Sequence, residues 1–209
     1  MPAFLAILRR CWYVPHMLPL CVLVSLVAAL THWLGVRELG AADASLAELR
    51  AGLVLGAGLL HLGLCTPLAL RDETKAGLIT LRRARGVGPG LWVRAAAVFV
   101  SMLPVCVLVI AITTGLPSEP LAVLLSLAAW VALGLALGTW LSGAALRTTL
   151  WIAGGLSLFR GVLLSDEVAR VLAWLLPPLP APGVSLWPVA LWIVGALLLA
   201  EWRVNRVRV

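Results

Sequence analysis

Arg71-Asp72-Glu73-Thr74-Lys75-Ala76-Gly77-Leu78-Ile79-Thr80-Leu81-Arg82-Arg83-Ala84-Arg85-Gly86-Val87-Gly88-Pro89-Gly90 is a polar island between two apolar runs, 51–70 and 93–115. Each flanking run has the roughly 20 residues that an α-helix needs to cross a bilayer. A chain this apolar concentrates its polar residues where it meets water or a partner. The island is therefore both a divider between membrane segments and the first place to look for function.

Composition agrees. Hydrophobic residues make up 62% of the chain and charged ones 12%, with a mean hydropathy of +1.06. A soluble domain carries about twice that fraction of charge. Cutting the sequence at the length of a membrane helix gives six spans, near 17–36, 51–70, 93–115, 120–143, 149–165 and 184–202. The expected fold is all-α, a polytopic membrane protein with a single transmembrane domain over 1–209. The first run, from Met17, is long enough to span and lacks a small-residue cleavage site, so no cleavable signal peptide is expected.

The basic residues choose an orientation. Arg9, Arg10, the basic residues from Arg71 to Arg94, Arg147, Arg203, Arg206 and Arg208 fall on one side, and only Arg37, Arg50, Arg160 and Arg170 on the other. The positive-inside rule then puts both termini in the cytoplasm. The net charge of +7 reads as a topology signal aided by anionic lipid, and not as a nucleic-acid footprint.

The segments between spans fit this frame. Residues 3–14 are short, amphipathic and aromatic, and suit a helix lying along the cytoplasmic interface. Pro117-Ser118-Glu119-Pro120 is a tight outer turn that makes spans three and four antiparallel neighbours. Residues 165–183 combine a short amphipathic stretch with a Pro-rich return, too short to cross, and suit an outer re-entrant helix. Trp12, Trp33, Trp92, Trp174, Trp187 and Trp202 lie near span ends, as interface anchors do.

Chemistry inside the spans is sparse. Intramembrane charge marks ion pathways, yet away from their ends the spans hold almost none: His61 in the second and, near an outer edge of the fifth, Arg160, with His16 and His32 at span ends. His61 lacks a carboxylate partner in any span, so a packed, hydrogen-bonded, neutral histidine is favoured over a ligand or relay. Cys11, Cys21, Cys65 and Cys106 sit singly, without a CxxC pair, and read as buried thiols rather than metal ligands. Neither a Gly-x-Ser-x-Gly elbow, a His-Glu-x-x-His motif nor a Walker loop is present. An enzyme, a catalytic residue, a metal site or a bound cofactor is therefore not expected. Gly134, Gly138 and Ser142, and likewise Gly52 and Gly56, recur every four residues as close-packing faces.

From Arg71 to Arg85 the island can form a helix, acidic at its start and basic at its end, matching the helix dipole. Gly77 permits close approach of another backbone, Leu78 and Leu81 form an apolar pair, and Gly86, Gly88, Pro89 and Gly90 end the helix. A solvated loop would satisfy topology with a few residues; the extra length favours a docking helix for a cytosolic partner.

Arg71-Asp72-Glu73, Gly77-Leu78, Leu81, the Gly/Pro break and Arg94 together resemble the permease subunits of type-2 ABC exporters. The whole topology is similar, and the short chain with minimal loops resembles the B subunit of the cytochrome c maturation haem exporter. The usual glutamate after the glycine is missing from Gly77-Leu78-Ile79-Thr80-Leu81, and span five lacks prolines. The resemblance implies a bacterial inner-membrane exporter for a hydrophobic or amphipathic substrate, haem among the candidates. It implies a cytosolic ATPase subunit supplying ATP and Mg chemistry, a second permease copy and further membrane assembly subunits. Arg71, Asp72, Glu73, Lys75, Gly77, Leu78, Leu81, Arg82 and Arg83 would form the coupling helix, and Trp174, Pro177, Pro178 and Pro180 the outer gate. Export of lipid, peptide or drug, and a non-transporting scaffold or assembly factor, remain the competing readings.

Overall fold

The computed structural model describes residues 2–12, 17–39, 43–70, 90–141, 143–158, 167–168, 171, 176–177 and 187–206. These form seven helices and no strand: α1 (Pro2–Trp12), α2 (Met17–Leu39), α3 (Asp43–Leu70), α4 (Leu91–Ile112), α5 (Pro120–Leu137), α6 (Gly143–Leu158) and α7 (Trp187–Arg206). Four stretches are long and apolar enough to cross a membrane: Met17–Glu38, Ser45–Leu70, Leu91–Ile112 and Pro120–Leu137. That composition and helix set are those of a membrane protein. Helices α6 and α7 overlap the stretches expected as spans five and six, 149–165 and 184–202, and neither is among the four.

Helix limits depart from the apolar runs for local reasons. The second span was expected from residue 51, but α3 starts at Asp43. Its first two turns are amphipathic, burying Leu46 and exposing Glu48, so hydropathy alone does not register them. At 28 residues it extends about 42 Å, more than the hydrocarbon layer requires. The fourth span was expected to reach residue 143, but α5 stops at Leu137. There the chain tightens into three-residue turns: Thr139 N–H bonds Ala136 O at 3.0 Å and Trp140 N–H bonds Leu137 O at 2.9 Å. The Thr139 hydroxyl also donates to Ala136 O at 2.7 Å, satisfying a carbonyl that the helix end leaves open. Helix α6 consequently begins at Gly143 instead of 149.

Helix α3 is the centre of the bundle, packing against α1, α2, α4, α5 and α6, while α7 lies mainly on α5. In its apolar window α3 is 67% buried, against 22% for α2. Helix α2 docks by one narrow stripe, Leu20, Val24 and Ala28, and exposes Leu18, Leu23, Leu26, Leu30 and Trp33. Such an apolar outer face is stable against lipid and would be an association hazard in water. Helix α1 buries Ile7 and Cys11 while Arg9 and Arg10 stay exposed, the amphipathic division expected of it.

Small residues let the central helices approach, though not all those the sequence suggested. A side chain added at Gly138 would strike Leu70 and Leu146, and one at Gly134 would press on Thr66 and Leu150. Gly52 faces open space and Gly56 meets only Leu158 at ordinary distance, so among the described residues that pair packs no helix of this chain closely. On α3 the task falls to Gly58, against Leu127, and Gly63, against Trp151. Ser142 lies outside the described residues. Trp12, Trp33, Trp92, Trp187 and Trp202 are exposed as anchors would be, whereas Trp130 is wholly buried in mid-α5.

The turn between α4 and α5 is short and tied down. Thr114 and Glu119 take left-handed backbone conformations, with φ of 50° and 48°, and Pro120 opens α5, where a missing N–H costs nothing. Ser118 N–H bonds Ala47 O at 2.9 Å, and Arg50 Nε donates to Thr113 O at 3.2 Å. Spans three and four are thus antiparallel neighbours around a turn fastened to the start of α3.

Candidate functional site

The sequence pointed to the island, and all nine coupling residues (Arg71, Asp72, Glu73, Lys75, Gly77, Leu78, Leu81, Arg82 and Arg83) lie outside the described residues. Of the outer-gate set, Trp174, Pro178 and Pro180 also lie outside them, as does Arg160; Pro177 is described and buried. What the structure does describe is how the island is rooted. Leu70 ends α3 and Gly90 precedes α4. Arg94, on the first turn of α4, is 1% exposed, and its guanidinium donates to Ala69 O at the last turn of α3. A helix C-terminus presents carbonyls without intrahelical partners and a partial negative charge, which suits a cation. Arg94 was expected only as a basic residue opening a span; in the fold it fastens the two roots of the island together.

Leu70 extends this root. Its side chain covers Gly138, in the turn after α5, and Leu146 of α6 approaches the same spot. A recess of about 260 Å³ opens beside it, lined by Pro67, Leu68, Leu70, Gly138, Leu141, Gly143 and Leu146. Four helix termini therefore meet at the island end of the bundle.

One turn deeper lies a buried polar cluster that the sequence did not assemble. His61 and Cys65 are four residues apart on α3, hence on one face. His61 Nε2 lies 2.9 Å from Ser101 Oγ of α4 and 3.2 Å from Cys65 Sγ. The Ser101 hydroxyl sits 2.7 Å from Val98 O, and Cys65 Sγ reaches Cys11 O of α1 at 3.6 Å. The Trp12 ring stands 6.2 Å from that of His61.

The proton inventory orders these contacts. Ser101 has one hydroxyl proton, and Val98 O can only accept, so Ser101 donates there and accepts from His61. His61 is then the Nε2–H tautomer, donating to Ser101 and toward Cys65, while Cys65 donates to Cys11 O. Nδ1 is buried without a partner among the described residues. A bare lone pair there costs less than an unpaired N–H, and a second proton would add an uncompensated buried charge. The neutral, packed histidine expected from the sequence is what the fold contains.

The cysteines differ from expectation in one respect. Cys11 and Cys65 were read as single buried thiols, and both are buried and unbridged, but they are not single: their thiols are in hydrogen-bonding contact. That contact holds the Cys11 thiol below its ordinary range, against burial, which raises it. The i, i+4 spacing of His61 and Cys65 could have been seen in the sequence; the arrival of Cys11 and Ser101 required the tertiary packing. Among the described residues no three His, Cys, Asp or Glu side chains converge to hold a metal ion. Compared with known protein families, curated proteins and solved structures, the chain matches none.

Proposed function

We propose that this chain is the permease subunit of an ABC exporter, moving a hydrophobic or amphipathic substrate outward with energy from a separate cytosolic ATPase subunit. The observation that carries the reading is the Arg94–Ala69 fastening at the base of a 20-residue polar island. An island that docks a partner must hand displacement to the membrane helices. Rooted this way, it hands any displacement to α3 and α4 together, and through Leu70 to the turn between α5 and α6. Two permease copies and two ATPase subunits make the working assembly in this reading. ATP-driven closure of the ATPase pair moves the docked islands and the helices behind them as rigid bodies. The specific form of the proposal is a haem exporter of cytochrome c maturation, in a bacterial inner membrane with both termini cytoplasmic and six spans.

The reading predicts an ABC ATPase reading frame adjacent to this one, and co-expression with that subunit tests it. Gly77→Trp, and separately charge reversal of Asp72 and Glu73, should abolish co-purification while membrane insertion persists. Co-purification that survives both changes removes the coupling role from the island. A complex that forms but shows no substrate-stimulated ATP hydrolysis in lipid nanodiscs favours the scaffold reading instead.

A further inference from the structure

We propose that Cys11 and Cys65 are a two-electron redox pair, converted by small peroxides into a disulfide that staples α1 to α3. This inference is independent of the transport reading.

Three observations converge on it. Cys65 Sγ lies 3.6 Å from the backbone oxygen of Cys11, 54 residues away in sequence, which brings the two cysteines together, and their thiols interact. Both side chains are wholly buried, yet Cys11 is adjacent to Trp12, which is 37% exposed, so the pair lies one residue beneath the surface at the end of a short amphipathic helix. Cys65 Sγ also lies 3.2 Å from His61 Nε2, so the pair borders a polar cluster and not apolar packing alone. Cys21 is only partly buried on α2 and Cys106 is buried on α4, and neither thiol has a cysteine partner among the described residues.

The chemistry closes without a further reagent. The Cys11 thiolate attacks one peroxide oxygen; the S–O bond forms, the O–O bond breaks, and the departing hydroxide takes the thiol's proton as water. Cys65 sulfur then attacks the Cys11 sulfenic sulfur. The S–S bond forms, the S–O bond breaks, and the hydroxide released takes the Cys65 proton as a second water. Two thiols have lost two electrons and two protons, and one hydrogen peroxide has become two waters. The favoured attacker is Cys11, because its hydrogen bond to Cys65 favours the thiolate, and the thiolate is the nucleophile. A peroxide is close to water in size and enters where a glutathione disulfide would not.

The protein in lipid nanodiscs is treated with hydrogen peroxide, quenched, denatured and labelled with a maleimide polymer. In the Cys21→Ser/Cys106→Ser background the reduced protein should take two labels, and the oxidised protein none until dithiothreitol restores both. Peptide mapping of the oxidised wild type should recover a Cys11–Cys65 linked pair, which guards against a background variant that fails to fold. Two labels remaining after oxidation, over-oxidised single cysteines in place of a linked pair, or a Cys11–Cys11 linkage between two copies would each overturn the proposal. So would the same loss of labelling in protein denatured before oxidation but not in the folded form. Cys11→Ser and Cys65→Ser should each leave the other thiol fully labelled.

Discussion

Arg94 and Arg50 reach across the same antiparallel helix pair in opposite directions, each capping the C-terminal carbonyls of the helix it does not belong to. Arg94 of α4 donates to Ala69 O of α3, and Arg50 of α3 donates to Thr113 O of α4 at 3.2 Å. Both ends of the pair are held by the same device, an arginine on a helix dipole.

The two clasps differ in burial, and the difference sets an order. Arg94→Ala removes a fully buried side chain together with a charged hydrogen bond, and should cost about 3 kcal/mol. Arg50→Ala, at a half-buried site, should cost about 1 kcal/mol. Thermal unfolding in mild detergent checks this; an equal or reversed ranking contradicts the assignment of Arg94 as the tighter clasp.

Glycine positions should separate into two groups. Gly138→Leu and Gly58→Leu drive a side chain into Leu70 and Leu127 respectively, and overpacking of this kind costs about 1–3 kcal/mol. Gly52→Leu and Gly195→Leu meet open space and should change stability by less than about 0.5 kcal/mol. Fluorescence-detected size exclusion after a heat step ranks all four.

The indole of Trp151 lies over Gly63 and its Nε1–H donates to Leu60 O at 3.4 Å. Trp151→Phe keeps most of the ring and loses the bond, which should cost about 0.5–1.5 kcal/mol. A melting temperature unchanged from wild type would show that the long bond contributes nothing.

His61 and Ser101 should be energetically coupled. Ser101→Ala leaves the His61 N–H with only the sulfur, at a cost of about 1–3 kcal/mol. His61→Phe removes donor and orphaned lone pair together, so the double variant should be more stable than the sum of the singles. A double-mutant cycle should return a coupling of about 0.5–3 kcal/mol; strict additivity would mean that the 2.9 Å contact carries no stability.

Much of the architecture was legible because apolar run length is a direct physical requirement of crossing a membrane. Pro120 and the turn before it, the amphipathic α1 and the starts of α2 and α4 follow from local sequence. The limits that hydropathy missed are those set by polar but helical residues, as at Asp43, or by backbone tightening, as after Leu137. Close packing is half readable: repeats of small residues mark Gly134 and Gly138, but which face of α3 is covered depends on where Leu127 and Trp151 arrive, so nothing local distinguishes Gly58 and Gly63. The polar cluster was hidden for the same reason. His61 and Cys65 share a helix face, but Ser101 and Cys11 reach it from α4 and α1. Arg94 looked like one more basic residue because sequence shows charge and not the carbonyl it meets.

The uneven burial of α2 and α3 also has a consequence for how the protein is made. Helix α2 emerges before α3, is apolar over most of its surface, and hides only 22% of its apolar window in the finished bundle. It can enter lipid by itself and dock late through Leu20, Val24 and Ala28. Helix α3 carries Arg50 and His61 and hides 67%; among the described residues, the side-chain partners that Arg50 and His61 find on other elements lie on α4 and the turn that follows it. In lipid such groups are costly until they are paired. Biogenesis therefore has a commitment point: α3 settles when α4 arrives, and every residue of the polar island must be synthesised before that can happen.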